Sequence, residues 1–267
     1  MGKKTILIST LFAFFLVSCS QVALTNRRQI KIVPRSVMNT MGSQNYASFL
    51  TTNAAKVSSA SNANVQQVRN VGRRISDAVI TYLTNNKLAD RAQGYQWEFN
   101  VVNSPEANAW CMPGGKVVFY TGILQIANSD ASIAVVMGHE IAHAIAEHGN
   151  ERISQQLIVQ AAGTGVEVYT QQKPSAQNDL FKQMYGVGTN MGLLSYSRKQ
   201  ELEADKLGLV FMAMAGYDPA EAVAFWQKMA AASTASPPEF LSTHPSNANR
   251  IAKIQAYLPE AQKYYKR

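Results

Sequence analysis

Five consecutive residues constrain this chain more than any others: His139-Glu140-Ile141-Ala142-His143. Around them Ile133, Val136, Met137 and Ile141 recur at three- and four-residue spacing, so the segment reads as a helix that Ser129 or Asp130 can cap. Histidines four apart share one helical face and can share a metal ion, while Glu140 can reach a water on that metal. Zinc in such a site lowers the pKa of its water to about 7, which makes hydroxide available at neutral pH. The flanks Val135, Val136, Met137, Ile141 and Ile145 bury part of this helix, where two idle imidazoles would be costly. The chain has only 4 histidines in 267 residues, and three of them, His139, His143 and His148, fall within ten positions. One zinc ion per chain is the expected cofactor.

A catalytic zinc site takes three protein ligands and leaves a position open. His148 lies five residues beyond His143, about 140° around a straight helix, and should face elsewhere. The position six residues after His143 is Gly149, so a third histidine at that spacing is excluded. Glu201, in Ser197-Arg198-Lys199-Gln200-Glu201-Leu202-Glu203-Ala204-Asp205, is the better candidate. Glu201 and Asp205 share a helical face, so one can ligate the metal while the other orients a ligand from behind. Glu203, two residues along, should point away into solvent.

The rest of the chain reads as a mainly helical α+β fold. From Val65, the residues Val68, Gly72, Ile75, Val79 and Tyr82 mark an amphipathic helix, and Trp97, Phe99 and Val101 alternate as a strand does. Asn108 to Met112 should turn through Pro113-Gly114-Gly115 into a strand over Lys116 to Tyr120. Beyond Gly122 helices dominate: one from Ser195 or Ser197 to Ala215, one over Ala220 to Ala232, and one over Ala248 to Tyr257 stopped before Pro259. Residues 161–192, rich in Gly, Gln and Asn, fit either a helical excursion beside the site or a loose connection.

The amino terminus reads as an address. Lys3 and Lys4 precede an apolar run from Ile6 to Val17, too short to span a bilayer and right for a signal peptide over residues 1–18. Leu16-Val17-Ser18-Cys19 resembles the bacterial lipobox, in which the cysteine is acylated and becomes the first residue. Cys19 is thus the expected lipid attachment point, and Ser20 after it points to the outer membrane. Residues 19–64, rich in Ser, Asn, Thr and Ala, read as a tether with a short helix near Ser43 to Leu50, and residues 65–267 as the folded domain. Basic residues outnumber acidic ones by 25 to 17 but never form a run of five, which argues for a solvated surface and against nucleic acid. Only two cysteines occur, so a disulfide scaffold is excluded.

These motifs together resemble the zinc metallopeptidases of the CaaX prenyl endopeptidase and HtpX superfamily, and in particular its small periplasmic lipoprotein members, typified by LoiP, and the peptidase domain of BepA. Carrying the resemblance are Asn108-Ala109-Trp110 with Pro113-Gly114-Gly115, HExxH with His148, Arg198 with Glu201 to Asp205, and His244-Pro245 with Arg250. The resemblance implies a gluzincin-type domain with a small β-sheet beside the HExxH helix. It implies that His139, His143 and Glu201 bind zinc, that Glu140 is general base, and that Asp205 stands behind the ligands. It further implies that His244 and Arg250 contact the substrate backbone or the developing oxyanion; His244 could instead bind the metal at rest as a latch. No apolar stretch here has membrane length, so CaaX processing is not expected.

An extended substrate should add to the sheet along Asn108, Ala109, Trp110, Cys111 and Met112, because backbone pairing makes few demands on side chains. Cys111 is otherwise a small apolar residue beside the hairpin. The expected activity is a lipid-anchored zinc endopeptidase that clears misfolded or misassembled envelope proteins. The competing reading is an envelope chaperone or assembly factor whose zinc is structural or regulatory.

Overall fold

The computed structural model describes residues 19–22, 25–162, 164–185, 196–232, 239–244 and 249–266. The expected signal peptide, residues 1–18, lies outside them. Three strands form the main sheet: β3 (Glu98–Val102), β4 (Ala109–Met112) and β5 (Lys116–Tyr120). Their order is β3-β5-β4, with β5 parallel to β3 and antiparallel to β4. The expected hairpin between β4 and β5 forms, with Gly114 and Gly115 both at positive φ (86° and 84°), where a side chain would be strained. Because β5 is central, one edge of β4 has no strand partner among the described residues.

The sheet is covered on both faces. Phe99, Val101, Ala109, Cys111, Val117 and Phe119 join the core with α2 (Ala63–Asn85) and α4 (Asp130–Ile145). Val102, Trp110, Met112 and Val118 join a second core with α1 (Arg35–Thr52), α5 (His148–Gln160) and α7 (Ala176–Tyr185). The short α3 (Thr121–Ile126) and α6 (Val166–Gln172) complete the order before α8 (Arg198–Met214). After it come α9 (Glu221–Ala232), α10 (Glu239–Thr243) and α11 (Arg250–Gln262). Among the described residues no helix is long and apolar enough to cross a membrane.

Two differences from the sequence reading matter. Residues 19–64 do not form an open tether. β1 (Cys19–Gln21) pairs antiparallel with β2 (Arg28–Ile30), and α1 is an 18-residue helix. Its buried Met38, Met41 and Tyr46 pack against the sheet, and Tyr46 and Phe49 meet Trp110 edge-on at 6.2 and 5.0 Å. The apolar stripe of α1 is only a few side chains wide among Ser, Asn and Thr, so composition concealed it. The other difference is α11, which runs through Pro259 to Gln262 rather than stopping before the proline. The buried Ile254 and Ala261 hold both sides of that interruption to the core, so tertiary packing outweighs the one lost helical hydrogen bond.

Helices α4 and α8 carry the HExxH and ExxxD motifs, and each begins with a side-chain cap where the sequence placed one. Ser129 accepts from the Ser132 backbone and Ser132 from that of Ser129; Ser197 and Gln200 do the same for α8. The two helices cross at Gly138 and Gly208, so closely that a Cβ on Gly208 would lie 2.9 Å from the Gly138 carbonyl carbon and the His139 nitrogen. Backbone cannot yield as a flexible side chain can. Gly208→Ala should therefore cost about 1–3 kcal/mol, as overpacking does, and lower the melting temperature by roughly 2–10 °C. It should also weaken metal binding, because α4 and α8 together carry the candidate ligands. A circular-dichroism melt indistinguishable from the unmodified chain would refute this account of the crossing.

Candidate metal centre and active site

His139 and His143 project from the middle and last turn of α4, and Glu201 from the first turn of α8. All three are almost completely buried. The Nε2 atoms of His139 and His143 are 3.1 Å apart, and Glu201 carboxylate oxygens lie 3.6 Å from the first and 3.3 Å from the second. Tetrahedral zinc with bonds near 2.0–2.2 Å needs ligand atoms separated by roughly 3.3–3.5 Å. The triangle therefore fits a zinc ion. The donor set also shows where a partner is needed: both Glu201 oxygens, Glu140 Oε1 and His244 Nε2 are buried without hydrogen-bond partners. Buried polar groups normally have partners, and four orphans converging on one point are what a metal and its open position would satisfy.

Electrostatics keep the ligands ready. Burial lowers His139 to about 4, although Asp205 pulls the other way, and pushes His143 well below its usual value. Both imidazoles are then neutral at neutral pH, with a lone pair to offer. Burial raises Glu201 to about 8 against the pull of the Arg250 guanidinium, and raises Glu140 well above the ordinary carboxyl range. A cation placed among them would favour both ionised carboxylates and so offset the effect of burial. Burial would raise Asp205 too, but Arg250 and His139 outweigh it and hold it near 2.

Behind His139, Asp205 Oδ1 lies 3.0 Å from Nδ1, which fixes the proton there and leaves Nε2 bare. Arg250 donates to both Asp205 oxygens, at 2.9 and 2.7 Å, and its Nη1 is 3.0 Å from Glu201, close enough to attract though not aligned to bond. The guanidinium also stacks on Trp226, 3.5 Å from the ring centre. These engagements set Arg250 behind the ligands in this structure. It holds two carboxylates in place and is not among the groups lining the cavity that contains Glu140.

That cavity runs along Asn108, Ala109, Trp110 and Cys111, with Glu140 and His244 opposite and Tyr185 and Tyr196 closing it. The register explains what β4 offers there. Tyr120 N–H donates to the Asn108 carbonyl, so the backbone groups of Trp110 and Met112 face β5. Those of Ala109 and Cys111 turn to the unpaired edge. Met112 does not line the cavity; its side chain belongs to the core beneath α1. The Cys111 thiol is fully buried, and burial raises its pKa well above the usual range, which leaves it an inert packing group.

His244 is brought in by α10, with Nε2 3.4 Å from Glu140 and Nδ1 3.2 Å from the Phe240 carbonyl. It forms one group with His139, His143 and Glu201, their ligand atoms all within 4.8 Å of one another. Pro245 and the possible helix caps after it lie outside the described residues.

Three contributors were not foreseen. Tyr196 stacks on His143 with ring centres 3.8 Å apart. His148 does not face elsewhere: α4 ends at Ile145, Glu147 takes a left-handed conformation (φ 56°), and His148 swings back to place Nδ1 2.9 Å from His143 Nδ1. Glu203 is 6% exposed rather than solvated, and it faces His148 and Arg27. The only hints in the sequence were the nearness of His148 to the motif and the basic residues Arg27, Lys31 and Arg35 at four-residue intervals.

The profile of Peptidase family M48 matches residues 66–258. Among known proteins, the chain is 39% identical over 170 residues to "Mitochondrial metalloendopeptidase OMA1" of Schizosaccharomyces pombe, covering 62% of this chain and 48% of that one. It is 30% identical over 263 residues to the Saccharomyces cerevisiae protein of the same name, covering 94% and 72%. It is 27% identical over 199 residues to "Beta-barrel assembly-enhancing protease" of Escherichia coli, covering 70% and 41%. The chain thus spans less than half the length of the fission-yeast and E. coli relatives.

Proposed function

The chain belongs to peptidase family M48, and from this premise we propose that it is a zinc endopeptidase, exported and held at a membrane by lipid on Cys19, that hydrolyses misfolded or misassembled envelope proteins. The observation that carries the activity is the triangle of His139, His143 and Glu201, with the buried carboxyl of Glu140 beside it and the unpaired edge of β4 alongside. The relatives' names, metalloendopeptidases and a protease that enhances barrel assembly, support the substrate class.

Zinc held by His139, His143 and Glu201 would supply Lewis acidity toward a scissile carbonyl and would lower the pKa of water. The chain's own groups do the rest. Ala109 and Cys111 pair with an extended peptide and set its register against Glu140. Glu140 takes a proton from the attacking water and returns it to the leaving amine; its raised pKa suits both transfers. Asp205, steadied by Arg250, keeps His139 in the tautomer that ligates. No metal ligation is asked of Glu140, which separates its loss from theirs.

Three tests follow from this reading. Purified protein should hold one zinc per chain and digest casein until a chelator is added. His139→Ala should lose the metal, whereas Glu140→Gln should keep it and lose roughly 10²–10⁴ of turnover. Digestion that survives in Glu140→Gln would instead support a structural zinc in a chaperone. For His244, the position of Nε2 among the ligand atoms supports the latch. His244→Ala, at matched zinc occupancy, should then raise basal proteolysis; a loss of roughly 10²–10³ in kcat would assign it to the oxyanion. For the anchor, the motif Leu16 to Cys19 motivates Cys19→Ser, which should release the protein from membranes or leave its precursor uncut. Unchanged fractionation with an unmodified terminus would remove the lipid from this account.

A further inference from the structure

Residues 25–35 cross behind α5 and α8 and place their polar side chains on buried carboxylates. Arg27 donates through Nε to Glu203 at 2.6 Å and through both terminal nitrogens to Glu151 at 2.6 and 2.7 Å. Thr25 donates to the other Glu203 oxygen. Lys31 and Arg35 reach Glu147 at 2.6 and 3.0 Å. Glu203 Oε2 in turn lies 3.4 Å from His148 Nε2, close enough to attract though not aligned to bond, and His148 Nδ1 is 2.9 Å from His143 Nδ1. A continuous chain of polar contacts therefore joins the amino-terminal segment to a candidate metal ligand.

The direction of hydrogen bonding along this chain follows from the chemistry of imidazole. If His143 gives its Nε2 lone pair to a metal, its Nδ1 carries the proton and needs an acceptor. His148 Nδ1 can accept only if the His148 proton sits on Nε2. A carboxylate facing Nε2 favours that tautomer, and Glu203 is the group placed there. Were the His148 proton on Nδ1 instead, it would donate to His143 and drive the His143 proton onto Nε2. That tautomer cannot bind metal. His139 has Asp205 directly behind it; His143 has the same service through an intervening histidine.

We propose that Arg27, Glu203 and His148 are positioning residues for the metal ligand His143, so that the amino-terminal segment, through Arg27, is a working part of the metal centre. The proposal rests on the assignment of zinc to His139, His143 and Glu201. It extends that assignment to residues outside the ligand set, and Arg27 lies 116 positions before the ligand it serves.

The test measures zinc affinity by competition with a chromogenic chelator, together with the visible absorption of the Co²⁺-substituted full-length protein. Glu203→Ala should weaken zinc binding roughly 10–100-fold, the usual cost of removing a partner behind a ligand, and shift the Co²⁺ bands. Glu203→Gln keeps an oxygen that can accept from His148, and should fall between Glu203→Ala and the unmodified chain. Arg27→Ala should weaken binding in the same direction by a smaller factor. It removes a side chain that is 25% exposed, so it remains informative if Glu203→Ala does not fold. Lys31→Ala is the control: it loosens the same segment at Glu147 without touching Glu203, and should leave affinity and spectrum unchanged. Unmodified protein without zinc would overturn the underlying assignment and this proposal with it. Zinc present and lost in His139→Ala, but with wild-type affinity and spectrum in Glu203→Ala and Arg27→Ala, would overturn this proposal alone. Equal losses in Lys31→Ala and Arg27→Ala would overturn it too, by showing that the segment acts through packing.

Discussion

The close crossing of α4 and α8 at Gly138 and Gly208 is the contact on which everything else in this molecule rests. His139 follows Gly138 directly, and Glu201 lies about two turns before Gly208 on the same helix. A pair of helices packed through ordinary side chains stands 8–10 Å apart. Backbone against backbone brings them nearer, and only then can a short glutamate meet two histidines from the neighbouring helix within 3.6 Å. The same approach lets Asp205 reach the rear of His139. Both helices are sealed by apolar neighbours, among them Ile133, Met137, Ile141, Leu207 and Phe211, so the ligands meet in a dry place.

Drying out so many ionisable groups is expensive unless each has a partner. The structure answers this unevenly, and the unevenness separates the two sides of the site. At the rear, Asp205 has Arg250, Glu203 and Glu151 share Arg27, and Glu147 has Lys31 and Arg35. On the metal side, Glu140, Glu201 and His244 keep orphaned atoms, with Glu201 near Arg250 but unbonded, while at the rear His148 Nε2 faces Glu203 without an aligned bond. A fold that satisfied every buried charge would have no place for a cation, and one that satisfied none would not hold its helices together. Glu147 shows how far the rear partners go: its left-handed backbone is unusual for a side-chain-bearing residue, yet that conformation ends α4 and turns His148 toward His143.

What could be read from the sequence was whatever depends on local spacing. HExxH and ExxxD sit on helices because their neighbours have helical period, and the serines before them cap as serines do. The Pro113-Gly114-Gly115 turn likewise follows from the backbone freedom of its glycines. Four things could not be read this way. His148 was placed by extending α4 as a straight cylinder, and the helix ends before it. Glu203 does point away from the metal, as its spacing requires, but whether that direction meets solvent depends on a segment 176 residues earlier. Helix α1 has a narrow apolar stripe that becomes visible only against Trp110 and Met112. Arg250 entered the site by resemblance alone, and no spacing rule could have revealed its contacts with Trp226 and Asp205.

The last step concerns how a peptide reaches this site. An added strand would lie about 4.8 Å from β4, along Ala109 and Cys111, and would take over the Ala109 N–H that now donates to Asn108 Oδ1. Tyr185, Tyr196 and His244 line the same space, and Glu140 and all the candidate ligands are buried beneath it. A peptide therefore enters only as some of these side chains leave. The supports behind the ligands differ in kind from these covers. Arg27, Glu203 and His148 hold His143 from the rear through charge and hydrogen bonds, and Asp205 and Arg250 hold His139 in the same way. The residues over β4 hold by ring stacking, as between Tyr196 and His143 or Phe240 and His244, and by hydrogen bonds without an ion pair, as between His244 Nδ1 and the Phe240 carbonyl. Aromatic contacts can be exchanged for contacts with a peptide at little net cost, whereas breaking a buried ion pair strands a charge.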